Sequence, residues 1–304
     1  MKHLTFGWIL PSGPGPAIEP ATYVQSIERG LALIQDHFDS VWMVDHLQFE
    51  QAALLEGWTA LTYFAARTPA LFFGHSVLCQ SYRNPALLAK MASTLQYLSA
   101  GRYILGLGAG WLEREYQAYN YPFPSGGIRA DQLEEAVQII KALWEQEPAT
   151  FQGHYYSVTN AYCMPHPDPH PPLLIGAHSP RMLRLVARYA DWWDIGRLTP
   201  EEYRTCVANI EQACVEVGRN PLTLRRSFWF GLCSCARTEE QAIAQAGRRY
   251  GKEPGLVGTP QQIVKQMHPY IELGVERFEV GCSGFPDLSS LELFISEVLP
   301  TLRV

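Results

Sequence analysis

Residues 101–129, GRYILGLGAGWLEREYQAYNYPFPSGGIR, decide the reading of the whole chain. The apolar run Tyr103-Ile104-Leu105, flanked by turn residues, reads as a buried strand. It runs directly into Gly106, Gly108 and Gly110, where a backbone without side chains can turn sharply and approach a ligand closely. Trp111 and a loop rich in Tyr, Phe and Pro follow. A buried strand that ends in alternating glycines and an aromatic loop suits a flat, phosphorylated molecule. The same glycines also serve an ordinary turn, so the motif alone leaves both readings open.

Working outward, the same strand-then-helix rhythm recurs on both sides. Upstream, residues 4–10 alternate and stop at Pro11-Ser-Gly-Pro. Tyr23, Ile27, Leu31 and Ile34 then mark an amphipathic helix. A buried strand at 41–44 ends in Asp45-His46, a helix covers 58–66 and a third strand covers 71–78. Asn84-Pro85 opens a helix, with Asn as cap and Pro where no hydrogen bond is lost. Its inner face is expected to carry Leu88, Met91, Leu95 and Leu98. Downstream, Leu133, Val137, Ile140 and Trp144 mark a long helix. Further strands are expected at 173–175, 192–195, 224–233 and 277–280, and a closing helix at 291–299. Ser179-Pro180, Thr199, Thr238 and Thr259 are helix starts, two of them capping boxes, Thr199…Glu202 and Thr259…Gln262. Eight strands alternating with helices favour a (β/α)8 TIM barrel over an open doubly wound sheet. Without repeats or a low-complexity linker, residues 1–304 read as a single domain, with 148–171 as an insertion covering the C-terminal face.

Composition narrows the function classes. The 304 residues are 47% hydrophobic and carry a net charge of −6 without a basic block, which argues against nucleic-acid and acidic-membrane partners. Seven cysteines without a disulfide framework read as reduced thiols in a cytoplasmic protein. The opening MKHLTFGWILP is too short and too soon broken by proline for a signal peptide or a membrane span. His154, His166 and His170 lie scattered among prolines and tyrosines, so no metal site is expected.

In a barrel, chemistry gathers where strands end. That rule selects Trp8, Asp45, His46, Ser76, Val77, Gly108, Ala109, Gly110, Gly176, Ala177, His178, Ser179 and Glu279. His46 suits proton transfer near neutral pH, with Asp45 holding or polarising a partner; both also suit a plain packed loop. Residues 176–180 join a strand to a helix whose first-turn N–H groups suit a phosphate, or form an ordinary turn. Trp111, Tyr116, Tyr119, Tyr121 and Phe123 either line an apolar pocket or pack the loop.

The stretches YRNPALLAKMASTLQYLSAGR (82–102), GRYILGLGAGWLEREYQAYNYPFP (101–124) and PHPPLLIGAHSPRMLRLVARYADWWD (169–194) resemble the luciferase-like monooxygenase family. The likeness runs from about Leu4 to Gly281 and is strongest to the branch of coenzyme F420-dependent oxidoreductases. It implies a bacterial luciferase-like barrel, F420 or FMN as cofactor, a small organic substrate, hydride transfer or monooxygenation, and often a homodimer. It also implies that His46 acts in proton or hydride chemistry beside Asp45. A non-proline cis peptide at Ser76-Val77 would support the ring. The loops 108–110 and 176–179 would hold the phosphate, although Ala177 and His178 stand where many members have glycine. The branch sometimes carries an acid just after the glycine loop, where this chain has Trp111. The alternative is a barrel that has lost catalysis and binds only a ligand or partner.

Overall fold

The computed structural model describes residues 4–14, 18–49, 52–249, 251–252 and 254–303; the first three residues of the opening stretch lie outside them. Parallel strands close into a barrel: β1 (Thr5–Ile9), β2 (Ser40–Met43), β3 (Phe72–His75), β4 (Tyr103–Gly108), β5 (Leu173–Gly176), β6 (Trp192–Gly196), β7 (Arg225–Cys235) and β8 (Arg277–Cys282). Each pairs with the next, and β8 returns to β1 through Gly7↔Glu279 and Trp8↔Val280. A short strand, Leu256–Gly258, extends the far end of β7. The open-sheet alternative is thereby excluded. No helix among the described residues is long and apolar enough to cross a membrane.

Strand alternation sorts the side chains into two cores. The outer one, between strands and helices, takes Phe6, Trp8, Val41, Met43, Phe73, Tyr103, Leu105 and their counterparts around the ring. The inner one fills the lumen with Ile9, Trp42, Ile104, Leu174 and Trp192. Helix α1 (Pro20–Ile34) buries Tyr23, Ile27, Leu31 and Ile34, the face its spacing predicts. Helix α2 is Gly57–Ala65 and α3 is Pro85–Leu98, with Asn84 accepting from the Ala86 and Leu87 N–H groups. On α3 the buried face is Leu88, Ala89, Ala92, Leu95 and Gln96, and Leu98 is 74% exposed. The small alanines let α3 pack closely, so the buried stripe runs through them and leaves Leu98 outside.

Two helices follow the glycines: the short α4 (Glu113–Ala118), which the sequence reading passed over, and the long α5 (Gly126–Glu145). Beyond α5, within the 148–171 insertion, Ala149–Gln152 and Ser157–Ala161 form an antiparallel hairpin. Glu135 of α5 accepts from the N–H groups of His154, Tyr155 and Tyr156, and the Tyr156 hydroxyl reaches Gln80 (3.2 Å). The hairpin therefore lies along the flank of α5, with its turn beside the loop after β3. The remaining helices include α6 (Pro180–Tyr189), α7 (Pro200–Glu216), α8 (Glu239–Ala246) and α9 (Pro260–Glu272). Thr199 and Thr259 form complete capping boxes, and Thr238 caps α8. The closing segment breaks into Ser289–Leu293, a π-helical turn at Phe294–Val298, and Leu299–Leu302.

Candidate active site

At the end of β2 the chain places Asp45 and His46 side by side and gives them different partners. His46 Nδ1 lies 3.0 Å from Glu115 Oε2. Glu115, on α4, is 1% exposed; its Oε1 accepts from the backbone N–H groups of Leu47 and Gln48. A carboxyl so placed can accept from a proton on His46 Nδ1 and fix the orientation of the ring. The other ring nitrogen, Nε2, has no hydrogen-bond partner among the described residues, and the side chain is 18% exposed. Phe49 packs on the imidazole at 4.3 Å and Trp111, itself 60% exposed, meets it edge-on at 5.7 Å.

Asp45 faces inward instead. It is buried and accepts from the Cys79 N–H (2.9 Å) and from both terminal nitrogens of Arg83 (2.8 and 2.9 Å). Its oxygens are engaged within the protein, so it acts here as an anchor. The bidentate pair ties the end of β2 to the loop before α3 and fixes the backbone from which His46 projects.

The third strand is interrupted as the resemblance implied. Ser76-Val77 is a cis peptide, and the strand resumes as Leu78–Cys79, pairing with Leu107 and Gly108. Val77 lies over the inner ends of β4 and β5: a Cβ on Gly108 would stand 2.7 Å from its Cγ2, and one on Gly176 3.3 Å. Glycine at these positions keeps the floor of the mouth flat around a single valine.

Trp8 is a correction. It is 1% exposed and turned outward, so close to α1 that a Cβ on Gly30 would meet its ring at 2.3 Å. Gly7 and Ile9 face the lumen, and a period of two sends Trp8 to the helix side. Ile9 is the β1 residue nearest the mouth.

In the glycine loop, Gly110 has φ +75°, and a Cβ there would fall 1.9 Å from the Tyr116 hydroxyl. That hydroxyl also reaches Cys79 Sγ (2.8 Å) and Ser81 Oγ (3.0 Å). Tyr116, Tyr82, Tyr121 and Phe123 pack on one another, so this part of the aromatic run holds the loop down. In the turn after β5, the Ala177 N–H donates to the Asp194 carbonyl (3.2 Å), leaving His178 and Ser179, both exposed, at the start of α6. Ser179 does not cap the helix, in contrast to Thr199, Thr238 and Thr259.

Below this mouth the lumen is polar. Asp194 accepts from Ser227 Oγ (2.6 Å) and from Ser76 Oγ (3.3 Å). Burial pushes its carboxyl up to about 6. Glu279, placed near the mouth by strand position, is fully buried and lies in the lumen beside Gly7 and Trp229. Burial and the neighbouring Asp194 push its carboxyl well above the usual carboxylate range.

Glu115, Arg83 and Asp194 were missed by sequence reasoning. Glu115 lies within the stretch first quoted, but only the unforeseen helix α4 turns it back beneath His46. Directly after the glycines, where some members of the branch carry an acid, this chain has Trp111. Arg83, in the YRNP turn, had no local pattern to mark it. Among the described residues no group of three or more His, Cys, Asp or Glu side chains is placed to hold a metal.

A closed parallel barrel with a polar dyad at its mouth defines a class of cofactor-dependent barrel enzymes, and comparison with known proteins gives the family. Residues 4–254 match the model of the luciferase-like monooxygenases. The chain belongs to that family and is an oxidoreductase. It is 29% identical over 276 residues to an F420-dependent hydroxymycolic acid dehydrogenase of Mycobacterium tuberculosis, covering 83% of this chain and 73% of that one. It is 27% identical over 303 residues to an F420-dependent glucose-6-phosphate dehydrogenase of Intrasporangium calvum, covering 88% and 91%. In fold it resembles an F420-dependent secondary alcohol dehydrogenase solved with an F420–acetone adduct, with TM-score 0.87, 22% identity, and 99% and 100% of the two chains covered.

Proposed function

We propose that this chain is an F420-dependent dehydrogenase that interconverts a small alcohol and its carbonyl compound. The observation that carries this reading is the His46–Glu115 dyad, with Nδ1 held at 3.0 Å and Nε2 without a hydrogen-bond partner among the described residues. Relatives named as F420-dependent dehydrogenases support the cofactor.

The residues present fit such a group. A flat ring has a floor of glycine backbone around Val77, and a phosphate has the uncapped start of α6, whose first-turn N–H groups and partial positive charge face it. His178, Ser179, Ala109 and Gly110 would border the phosphate, with Ala177 contributing shape because its N–H is already bonded. Bound F420 supplies two-electron hydride transfer at its ring. His46 Nε2 takes the proton from the substrate hydroxyl as the hydride leaves the same carbon, and returns it in the reverse direction. Glu115 stabilises the imidazolium so formed and holds its orientation. Phe49 and Trp111 keep water off one side of the imidazole.

The test is a fluorescence titration of the purified protein with F420 and with FMN, followed by turnover with secondary alcohols. F420 binding together with alcohol oxidation, lowered about 10²-fold or more in His46→Ala at unchanged F420 affinity, is the expected result. Binding of neither cofactor at tens of micromolar (about −6 kcal/mol) would sink the reading. A second reading, FMN-dependent monooxygenation, is favoured by the family model's own description; oxygen consumption with reduced FMN would establish it. All seven cysteines are free thiols, which supports a cytoplasmic setting. Exposed Leu87, Tyr97 and Leu98 on α3 support a homodimer, which sedimentation would detect as a doubled mass.

A further inference from the structure

The barrel lumen contains more acid than the catalytic reading uses. Asp194 on β6 and Glu279 on β8 are both buried, 6% and 0% exposed. Asp194 has hydrogen-bond donors in Ser227 and Ser76. Glu279 has none: neither of its oxygens finds a partner among the described residues. Ser76, whose hydroxyl crosses the lumen to Asp194, also lies beside Glu279.

The buried cation in this space is Arg277, one layer deeper on β8; Arg225 also stacks on Trp192 (3.9 Å) but is half exposed and paired with Glu276. Arg277 is held by aromatic faces, 3.7 Å over Trp192 and 5.2 Å over Trp42, and forms no ion pair within 4.0 Å with either acid. The more distant charges of Arg225 and Asp39 act on Arg277 with opposite sign. Two ionised carboxylates against one guanidinium would leave an excess negative charge in a water-excluded space. Glu279 would also be an ionised carboxylate with no donor, which is strongly unfavourable. One added proton removes both difficulties, because adjacent buried acids do not ionise together.

We propose that Asp194 and Glu279 hold one proton between them beneath the barrel mouth, with Glu279 as the neutral acid, and that this pair positions the Ser76 hydroxyl and so the Ser76-Val77 peptide under the cofactor ring; the second half rests on the reading that the ring lies at this mouth. The pair acts through Ser76. It keeps a second negative charge out of the lumen below the ring.

The first measurement needs no cofactor. Infrared spectra of the whole protein at neutral pH should show the carbonyl stretch of a protonated carboxylic acid that moves in D2O, disappears in Glu279→Gln and shifts in Asp194→Asn. A spectrum without such a band, or a band that survives Glu279→Gln, overturns the shared proton. Should Glu279→Gln fail to fold, the D2O shift and the Asp194→Asn shift decide alone. The second measurement is the titration with F420 and FMN. Glu279→Ala should weaken binding about tenfold, roughly 1.4 kcal/mol, because Ser76 loses the side chain packed beside it, and the neutral Glu279→Gln should restore it. Equal weakening in both variants overturns the positioning role. A wild-type protein that shows the band but binds neither cofactor also overturns the positioning role, and with it the placement of the ring, while the shared proton stands.

Discussion

Two acids of this barrel are almost equally buried and are treated in opposite ways. Glu115, at the rim, receives two backbone N–H groups and the His46 ring. Glu279, in the lumen, has no donor at hydrogen-bonding distance among the described residues, with Ser76 beside it and a second acid near it. Burial alone therefore does not determine what a carboxyl does; the donors around it do. At the rim the fold surrounds a carboxyl with donors beside a histidine, and in the lumen it keeps a neutral group beneath the floor of the mouth. Asp45 is a third case, buried and fully supplied with donors, with Arg83 clamping it from one side and the Cys79 N–H from another.

The comparison breaks most readily at Asp45. Arg83→Ala removes its guanidinium and leaves a buried carboxylate with one donor, which should cost about 3–5 kcal/mol of stability. Chemical denaturation measures it, and Arg83→Lys should recover only part because a point charge cannot replace the bidentate fork. A loss within 1 kcal/mol (about the size of an exposed pair) would show that Asp45 is satisfied in some other way.

At the rim, Glu115→Gln keeps the shape and removes the charge. A hydrogen bond to a charged group contributes about 1.5–3 kcal/mol, so turnover should fall about tenfold or more with little change in KM. An effect confined to KM would make Glu115 a packing residue.

In the lumen, the sign is reversed. The folded state raises the Asp194 carboxyl to about 6, so it favours the neutral form. The stability this contributes is complete below the unfolded value near 4 and is lost as pH rises through about 6. Melting temperatures of wild type and Asp194→Asn, compared at pH 4.5 and pH 7, should show wild type losing ground to the variant as pH rises. A constant difference across that window would mean Asp194 is ionised throughout.

The smallest effect is expected at the start of α6. Ser179→Ala removes a side chain that caps nothing, so stability should be unchanged and cofactor affinity should fall by about 1 kcal/mol. Riboflavin, which lacks the phosphate, should bind wild type and Ser179→Ala equally. If it binds wild type as tightly as FMN does, the phosphate site lies elsewhere.

The sequence by itself determined the barrel. Every strand position was readable because each is a short apolar run closed by turn residues, and helix starts at Asn84, Thr199, Thr238 and Thr259 announced themselves through local hydrogen bonding that needs no distant partner. It also marked His46, because strand ends are where a barrel opens. Tertiary structure alone decided which neighbours those residues meet. Glu115 lies 69 positions from His46, Arg83 lies 38 from Asp45, and Ser76 lies 118 from Asp194. No local pattern encodes such separations; the fold creates them by gathering strand ends and their loops at one rim and, for Ser76 and Asp194, by bringing opposite strands across one lumen. The same closure turned Trp8 outward, since the side of a strand that faces the lumen is fixed by register with its neighbours. The charge states of Asp194 and Glu279 likewise follow from what the closed ring brings together and what it shuts out.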